Sequence, residues 1–394
     1  MKLDAYLSID YGNSSTRVNI AYKDKSGEFH TSIHTLSNRY GYLDENTLYV
    51  TEVPDYTEKN SKVFRTKHDI VCVGKICESE CGTAIVKPTS TDKKFDSKFS
   101  EYATRLALMQ GYMILSQAFG EPIEDLDVTW HMAVCLPAYD MQAGKEKMKE
   151  LIMNIDTIDF IIPDVQKKIN IDAGSIKVGP EGVAAFIGTV FAEPGVFRYK
   201  MKAVASKKVL VIDMGDGTTD ISLTEGTMAS NTSLHSIQLG GSTITHHLKK
   251  EMEQRYGTNF SLDAMQKASI TGELQIGNRT IDITKDVERI RRRVALSVAN
   301  EIKGYFDSLA VHIGEINYIL LCGGGAMPQQ GESHMKSYVD FVKEALHNMM
   351  NFADFLEMPI VKQKDTKGKE EEVPLNPRLL NVLGLNIINL MGVK

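Results

Sequence analysis

Cysteine is scarce in this chain of 394 residues, with five in all at Cys72, Cys77, Cys81, Cys135 and Cys322. An odd count behind an N-terminus that runs straight into an apolar strand, with no leader pattern, predicts reduced thiols in a cytoplasm and excludes a disulfide-stapled scaffold. Cys72, Cys77 and Cys81 lie close together. They form no paired CxxC, however, and no second pair or HxxxH follows, so the spacing argues against structural zinc. No run of about eighteen apolar residues occurs, so no membrane span is predicted. Positive charge is short as well: 45 Lys and Arg face 51 Asp and Glu, a formal net charge of −6. That balance gives no basic footprint for nucleic acid, and any contact with DNA is expected to pass through a partner. None of the ten histidines completes a catalytic constellation, and His246-His247 is expected on the exposed side of a helix. What is present is an ordinary globular composition, 42% hydrophobic and 24% charged, in a chain long enough for two domains with their own cores.

The informative stretch runs from Val209 to Leu223, VLVIDMGDGTTDISL. An apolar strand enters an acidic, glycine-rich and hydroxyl-rich turn, Asp213-Met214-Gly215-Asp216-Gly217-Thr218-Thr219-Asp220, and an apolar pattern then resumes. Glycines in such a turn let backbone N–H groups approach an anion, since no Cβ intervenes. Threonine hydroxyls add donors, and a carboxylate at the strand end can hold a hydrated Mg²⁺. The same grammar occurs near the N-terminus: Ala5–Asp10 leads into Tyr11-Gly12-Asn13-Ser14-Ser15-Thr16-Arg17 and then Val18–Ala21. Two copies so far apart predict two related lobes, each holding one flank of the phosphates of a nucleotide.

A third element joins them. Tyr318–Cys322 is an apolar strand running into Gly323-Gly324-Gly325-Ala326, where the backbone can come close to a purine and ribose. Together, in this order, the three resemble the two phosphate loops and the adenosine loop of the actin-like ATPases, the superfamily of actin, MreB, ParM, the heat-shock chaperone ATPases and the sugar kinases. The resemblance implies an α/β, ribonuclease H-like fold of two lobes with a nucleotide in the cleft between them. It implies a first lobe at 1–204 with a small upper subdomain at about 40–96. A second lobe follows at 205–374, with an upper subdomain at about 246–310, and a C-terminal helix at 375–394 returns to the first lobe.

The rest of the chain is read in that light. Helical spacing predicts a core-facing helix over 97–119, and Asp127–Leu136 reads as a buried strand stopped by Pro137. Met141–Met153 reads as an amphipathic helix. Pro180-Glu181 reads as a helix start, with proline in the first turn and glutamate complementing the dipole. The resemblance gives Glu181 a sharper role, because ParM-like members carry a glutamate here that faces the γ-phosphate and orients the attacking water. Leu239-Gly240-Gly241-Ser242-Thr243 resembles the glycine turn leading into the second upper subdomain, ahead of a helix at Ile244–Arg255. Arg291, Arg292 and Arg293 lie on a long predicted helix, most simply as a solvated face. Val361–Val373 reads as a charged loop, and Asn376-Pro377 opens a final apolar helix in which Gly384 resembles the family's close-packing small residue.

The resemblance therefore implies ATP, or GTP, with Mg²⁺ as cofactors. Asp10 and Asp213 would hold the metal through water. Gly12, Asn13, Ser14, Ser15, Thr16, Arg17, Gly215, Asp216, Gly217, Thr218 and Thr219 would bind phosphate. Gly240, Gly241 and Gly323–Ala326 would line the rest of the nucleotide site. Arg17 stands where actin and ParM have lysine, and Asp216 matches the aspartate of actin's second loop. No domain for chaperone substrates follows, no sugar-binding constellation is evident, and no amphipathic membrane segment opens the chain. The expected function is that of a ParM-type filament ATPase, associating with itself and moving plasmid DNA through an adaptor. The alternatives are an MreB-like cytoskeletal protein and a soluble kinase.

Overall fold

The computed structural model describes residues 1–44, 61–89, 92–226, 228–309, 313–327, 335–364 and 369–393. Parts of the expected upper subdomain, 45–60 and 90–91, lie outside the described residues. The chain divides into two units. Unit 1 comprises Met1–Leu136, Asp140–Pro180 and Leu385–Lys394; unit 2 comprises Pro137–Tyr139 and Glu181–Gly384.

The main sheet of unit 1 starts from β1 (Lys2–Tyr11), which is continuously buried from Ala5 to Tyr11 as befits a strand covered on both faces. β2 (Ser15–Lys23) pairs antiparallel with it, placing Asp10 opposite Arg17 and Tyr11 opposite Thr16. β3 (Phe29–Ser37) closes that edge, alternating between exposed and half-buried residues along its length. A second, smaller sheet contains β4 (Gly41–Leu43), β5 (Ser61–Arg65) and β6 (Ile70–Gly74). β7 (Asp127–Leu136) returns to the main sheet, parallel to β1. β8 (Thr157–Ile162) and β9 (Val165–Lys168) then complete the small sheet, in the order β4-β6-β5-β8-β9, so that sheet also takes in chain from well beyond residue 96. β10 (Asn170–Ile171) and β11 (Lys177–Pro180) both pair parallel with β7. The helix Lys98–Phe119 covers β1, β2 and β3. Ser97 caps its start by accepting the Phe99 N–H at 3.2 Å, and Gly120 ends it in the left-handed region.

Unit 2 opens with the helix Val183–Val190 and a short hairpin, β12 (Phe191–Glu193) and β13 (Val196–Phe197). Its main sheet then repeats the plan of unit 1. β14 (Lys208–Met214) pairs antiparallel with β15 (Thr219–Glu225), which pairs antiparallel with β16 (Met228–Ile237). After the hairpin β17 (Glu273–Ile276) and β18 (Arg279–Asp282) come β19 (Tyr318–Cys322), parallel to β14, and β20 (Asp354–Phe355), parallel to β19. Two antiparallel strands on one side of the founding strand and parallel strands on the other are the arrangement of both units. The helix Thr284–Leu309 lays a stripe of Val287, Ile290, Val294, Val298 and Ile302 on this core, at the spacing of one helical face.

Two local expectations change. Pro180 ends strand β11, opposite Leu136, and helix Val183–Val190 begins only after Gly182, whose φ of 78° breaks the run. A proline without an N–H is tolerated at the end of an edge strand. Glu181 therefore sits in the turn before the helix, outside its first turn. The stretch read as a charged loop carries an antiparallel ladder, β21 (Ile360–Lys364) with β22 (Glu370–Pro374); its tip at 365–368 lies outside the described residues.

The last helix, Leu380–Leu390, follows a short 3-10 turn whose Asn376 side chain accepts the Arg378 N–H at 3.0 Å. At its far end the Lys177 ammonium donates to the carbonyls of Ile388 and Asn389 at 2.7 and 3.1 Å, satisfying acceptors that a helix leaves open. At its near end the backbone of Gly384 lies against that of Ala184, and a Cβ at Gly384 would stand 1.7 Å from the Ala184 carbonyl oxygen. Both neighbours are backbone, so nothing flexible can yield. Gly384→Ala is therefore expected to destabilise unit 2 by at least about 1–3 kcal/mol, the usual range for overpacking. An unchanged thermal midpoint would show that the two helices can part at no cost.

Candidate functional site

Each unit builds its candidate site at the end of its founding strand, where the chain must turn back into an antiparallel neighbour. In unit 1 the turn links Tyr11 to Thr16, and in unit 2 it links Met214 to Thr219, so the two hairpins match position for position from Asp10 and Asp213 onward. The turn in unit 2 is closed by the Gly215 N–H donating to the Thr218 carbonyl at 2.9 Å. No acceptor among the described residues takes the N–H of Gly217 or Thr218. Those two backbone donors are available to an anion.

Two further glycine segments converge on the same strand end. Gly241 and Ser242, at the start of helix Gly241–Tyr256, donate their N–H groups to the carbonyls of Gly215 and Asp216 at 3.1 and 2.7 Å. A Cβ at Gly240 would lie 2.5 Å from the Asp216 carbonyl oxygen. On the other side Gly323, at φ 82°, follows β19 so closely that a Cβ would stand 2.2 Å from an Asp213 carboxylate oxygen. Gly325 similarly lies against Met214. Unit 2 thus brings together Asp213, Gly215–Thr219, Gly240, Gly241 and Gly323–Ala326.

The hydroxyls divide into two classes. Thr219 is fully buried and donates to the Leu239 carbonyl at 2.7 Å; its counterpart Thr16 is fully buried and donates to Asn38 Oδ1 at 2.9 Å. Both are hairpin struts. Thr218 is half-buried and donates to Asp220 Oδ2 at 2.9 Å, while Ser14 is exposed and Ser15 half-buried. These lie at the rim, where a ligand can reach them.

The carboxylates also differ. Asp10 faces Arg17 in the ladder, and Arg17 Nη1 donates to Asp10 Oδ2 at 3.2 Å, with both side chains almost entirely buried. The Cys135 thiol adds a weak bond to Asp10 Oδ1 at 3.5 Å. The guanidinium of Arg17, expected on phosphate, is thus turned onto the carboxylate of its own hairpin. In unit 2 the position of Arg17 is taken by Asp220, so Asp213 faces a second carboxylate. Directly opposed like charges repel. Among the described residues Asp220 accepts from neutral donors, the Ala138 N–H at 3.3 Å and the hydroxyls of Thr218 and Ser236. Asp213 accepts from the Asn381 amide at 2.6 Å. A carboxylate offers about four acceptor positions, so the chemistry of Asp10 and Asp213 suits holding a metal through water. The opposed pair in unit 2 is the more favourable place for a divalent cation, and the residues fit Mg²⁺.

Three residues were not singled out from sequence. Asn381 bridges Asp213 and the turn before helix Val183–Val190, since its Oδ1 accepts the Gly182 N–H at 3.4 Å. Asn38 plays a related part in unit 1, accepting from Thr16 and donating to the Gly12 carbonyl. Lys94 lines a small cavity beside the first hairpin with Tyr11, Gly12, Asn13 and Thr16. A lone asparagine or lysine far along the chain carries no local pattern, and only folding places these. Glu181 is buried in its turn. The arginines expected on a solvated face have separate structural partners. Arg291 is buried and donates to the carbonyls of Lys336 and Ser269, both at 2.7 Å. Arg292 lies over the Phe341 ring and Arg293 pairs with Glu251.

Comparison with known proteins bears on the fold. Residues 211–332 match the model of the family described as archaeal actin homologue MreB-like, C-terminal. No curated protein matches the chain in sequence. Among solved structures, a 15-stranded ParM filament from Clostridium botulinum is similar at 15% identity and a TM-score of 0.64, with 99% of each chain covered. Ta0583, an archaeal actin homolog, is similar at 14% identity and a TM-score of 0.65, covering 98% of this chain and 99% of that one. Its complex with ADP matches at 15% identity and a TM-score of 0.59, covering 97% and 98%. The chain has the actin-like fold of two mixed α/β lobes, and the resemblance read from its hairpins holds. No helix among the described residues is long and apolar enough to cross a membrane.

Three substitutions separate the strut from the carboxylate expected to hold the metal. Thr219→Val is expected to lower stability by about 1–3 kcal/mol, the cost of leaving a buried acceptor unsatisfied. An unchanged melting temperature would mean the hydroxyl is not a strut. Asp213→Ala is expected to lose Mg²⁺-dependent nucleotide binding far more completely than Thr218→Ala, which removes one hydrogen bond of several, worth roughly 1.5–3 kcal/mol to a charged group. Calorimetric titration of Mg²⁺-ATP into both variants measures this, and equal losses would place the metal elsewhere.

Proposed function

We propose that this actin-like chain is a filament-forming nucleoside triphosphatase that hydrolyses ATP, or GTP, and couples hydrolysis to its own assembly. The observation that carries the reading is the paired hairpin: the same Asp–Gly–hydroxyl turn ends the founding strand of both units, at matching register. A duplicated anion-binding turn suits a ligand with several phosphates.

In this reading the free backbone N–H groups of Gly217 and Thr218, with Ser14, Ser15 and the Thr218 hydroxyl, bind phosphate oxygens. Gly323–Ala326 admits the nucleoside by the closeness of its backbone. Asp10 and Asp213 hold the water shell of Mg²⁺, which when bound neutralises charge on the phosphates. Glu181 orients and polarises the attacking water, a task that needs a carboxylate with restricted freedom, and burial in a turn provides it. Asn381 acts as a positioning residue, fixing the Asp213 carboxylate and the Gly182 backbone beside Glu181.

The ParM filament among the similar structures supports self-association as the output, and plasmid movement through a DNA-binding adaptor is the form it takes in our reading. The family match over 211–332 favours a second reading, an MreB-like cytoskeletal filament without plasmid cargo. Fold alone does not choose between them. High-speed pelleting of the purified protein with and without ATP tests what the two share. Nucleotide-dependent sedimentation is expected, and a protein that stays in the supernatant while turning over ATP would instead be a soluble kinase or phosphatase. Glu181→Ala is expected to slow phosphate release by about a hundredfold or more while retaining nucleotide binding, so that its filaments outlast those of the unmodified chain. Normal phosphate release by that variant would remove Glu181 from the mechanism.

A further inference from the structure

The small sheet of unit 1 gathers three cysteines that their spacing in sequence did not suggest as a site. Cys72 lies in β6, and Cys77 and Cys81 lie four residues apart on the helix Lys75–Cys81 that follows directly. A separation of four puts both helical side chains on one face, and the turn at Gly74 folds that face back over Cys72. The three sulfurs lie within 4.8 Å of one another, and Cys72 Sγ and Cys81 Sγ are 3.6 Å apart. Cys72 and Cys77 are buried and Cys81 is partly exposed.

We propose that Cys72, Cys77 and Cys81 form a three-thiolate site for one thiophilic cation of the Zn²⁺ type, fastening the helix Lys75–Cys81 to the small sheet. Zinc–sulfur bonds of about 2.3 Å in a tetrahedral arrangement set sulfurs about 3.8 Å apart. The triad is within about an ångström of that spacing. Binding forms three metal–sulfur bonds and releases the thiol protons to solvent, with water in the fourth position.

The surroundings are arranged for the cluster. Gly41 in β4 passes directly over it: a Cβ there would stand 2.2 Å from Cys81 Sγ and 2.9 Å from Cys72 Sγ. The only side chain that leaves room for these sulfurs is therefore the one at that position. The Arg39 and Tyr42 carbonyl oxygens face Cys77 Sγ and Cys81 Sγ at 3.9 and 3.8 Å, forming a polar rim beyond the sulfurs. The charge of Arg39 acts on Cys77, so a cation stands near a site that would carry net negative charge with Zn²⁺ bound. The apolar packing of Leu43, Val63 and Ile76 around the cluster limits competition from water. The site shares no residue with the hairpins, and its test reads metal binding without nucleotide.

The test uses the full, reduced chain and Cd²⁺ or Zn²⁺ alone. Cd²⁺ is expected to produce a thiolate-to-metal charge-transfer band that saturates at one equivalent and is displaced by Zn²⁺. Differential alkylation of the unmodified chain should show Cys72, Cys77 and Cys81 protected by Zn²⁺, while Cys135 and Cys322 label equally with and without it. Cys81→Ser, at the partly exposed position, should weaken Zn²⁺ at least about tenfold, since losing a ligand costs no less than losing a second-layer partner. It should also abolish the Zn²⁺-dependent rise in melting temperature. A missing band, protection of other cysteines, or affinity unchanged in Cys81→Ser would overturn the proposal. So would a reduced protein that takes up no metal but forms a Cys72–Cys81 disulfide under mild oxidant, which would make the cluster a redox pair.

Discussion

The approach of backbone to backbone at the end of β14 is the constraint on which the site in unit 2 depends. Three chain segments, at Gly215–Thr218, Gly240–Ser242 and Gly323–Gly325, meet around Asp213 and Met214 at distances that a single added Cβ would violate. Because glycine removes the side chain from each contact, amides and carbonyls pair directly, and the N–H groups of Gly217 and Thr218 are left over among the described residues. In the function proposed for this chain, such donors bind an anion with little demand on charged side chains. A formal net charge of −6 is compatible with a polyphosphate ligand for this reason.

The duplicated plan of the two units does not extend to their electrostatics. Both founding strands end in aspartate, yet unit 1 sets arginine opposite it and unit 2 sets a second aspartate. The first carboxylate is neutralised by its own hairpin. The second, Asp213, accepts from the Asn381 amide and stands opposite Asp220, which accepts from the hydroxyls of Ser236 and Thr218. In the function proposed for this chain, a divalent cation has most to offer beside Asp213.

Close packing recurs away from the hairpins. Gly384 lets one helix lie against the backbone of another, and Gly41 leaves room for three sulfurs. In each place a small residue carries no chemistry itself and decides what its neighbours can do.

Much of this was legible in the sequence. Strand-turn-strand grammar fixed both hairpins, because alternation of apolar runs with Gly, Asp and Thr is a local signal that the backbone must obey. The strand Asp127–Leu136 and the helix Met141–Met153 fall where their apolar periods place them, for the same reason. Other features had no local signal. Pro180-Glu181 has the composition of a helix start, but pairing with β7 holds Pro180 in a strand. The threonines of the hairpins look alike in sequence, and only burial separates Thr16 and Thr219, which support the turn, from Thr218, which lies at the rim. Asn381 is more than a hundred and fifty residues from Asp213 in the chain and 2.6 Å from it in space. Cys72, Cys77 and Cys81 match no metal-binding spacing, since the strand-to-helix turn that gathers them is a product of packing. The sequence by itself determined the local turns and the kind of ligand they suit, because both depend on backbone conformation within a few residues. Which side chains support the site and which remain open to a ligand was decided by tertiary structure, because that depends on groups brought together from distant parts of the chain.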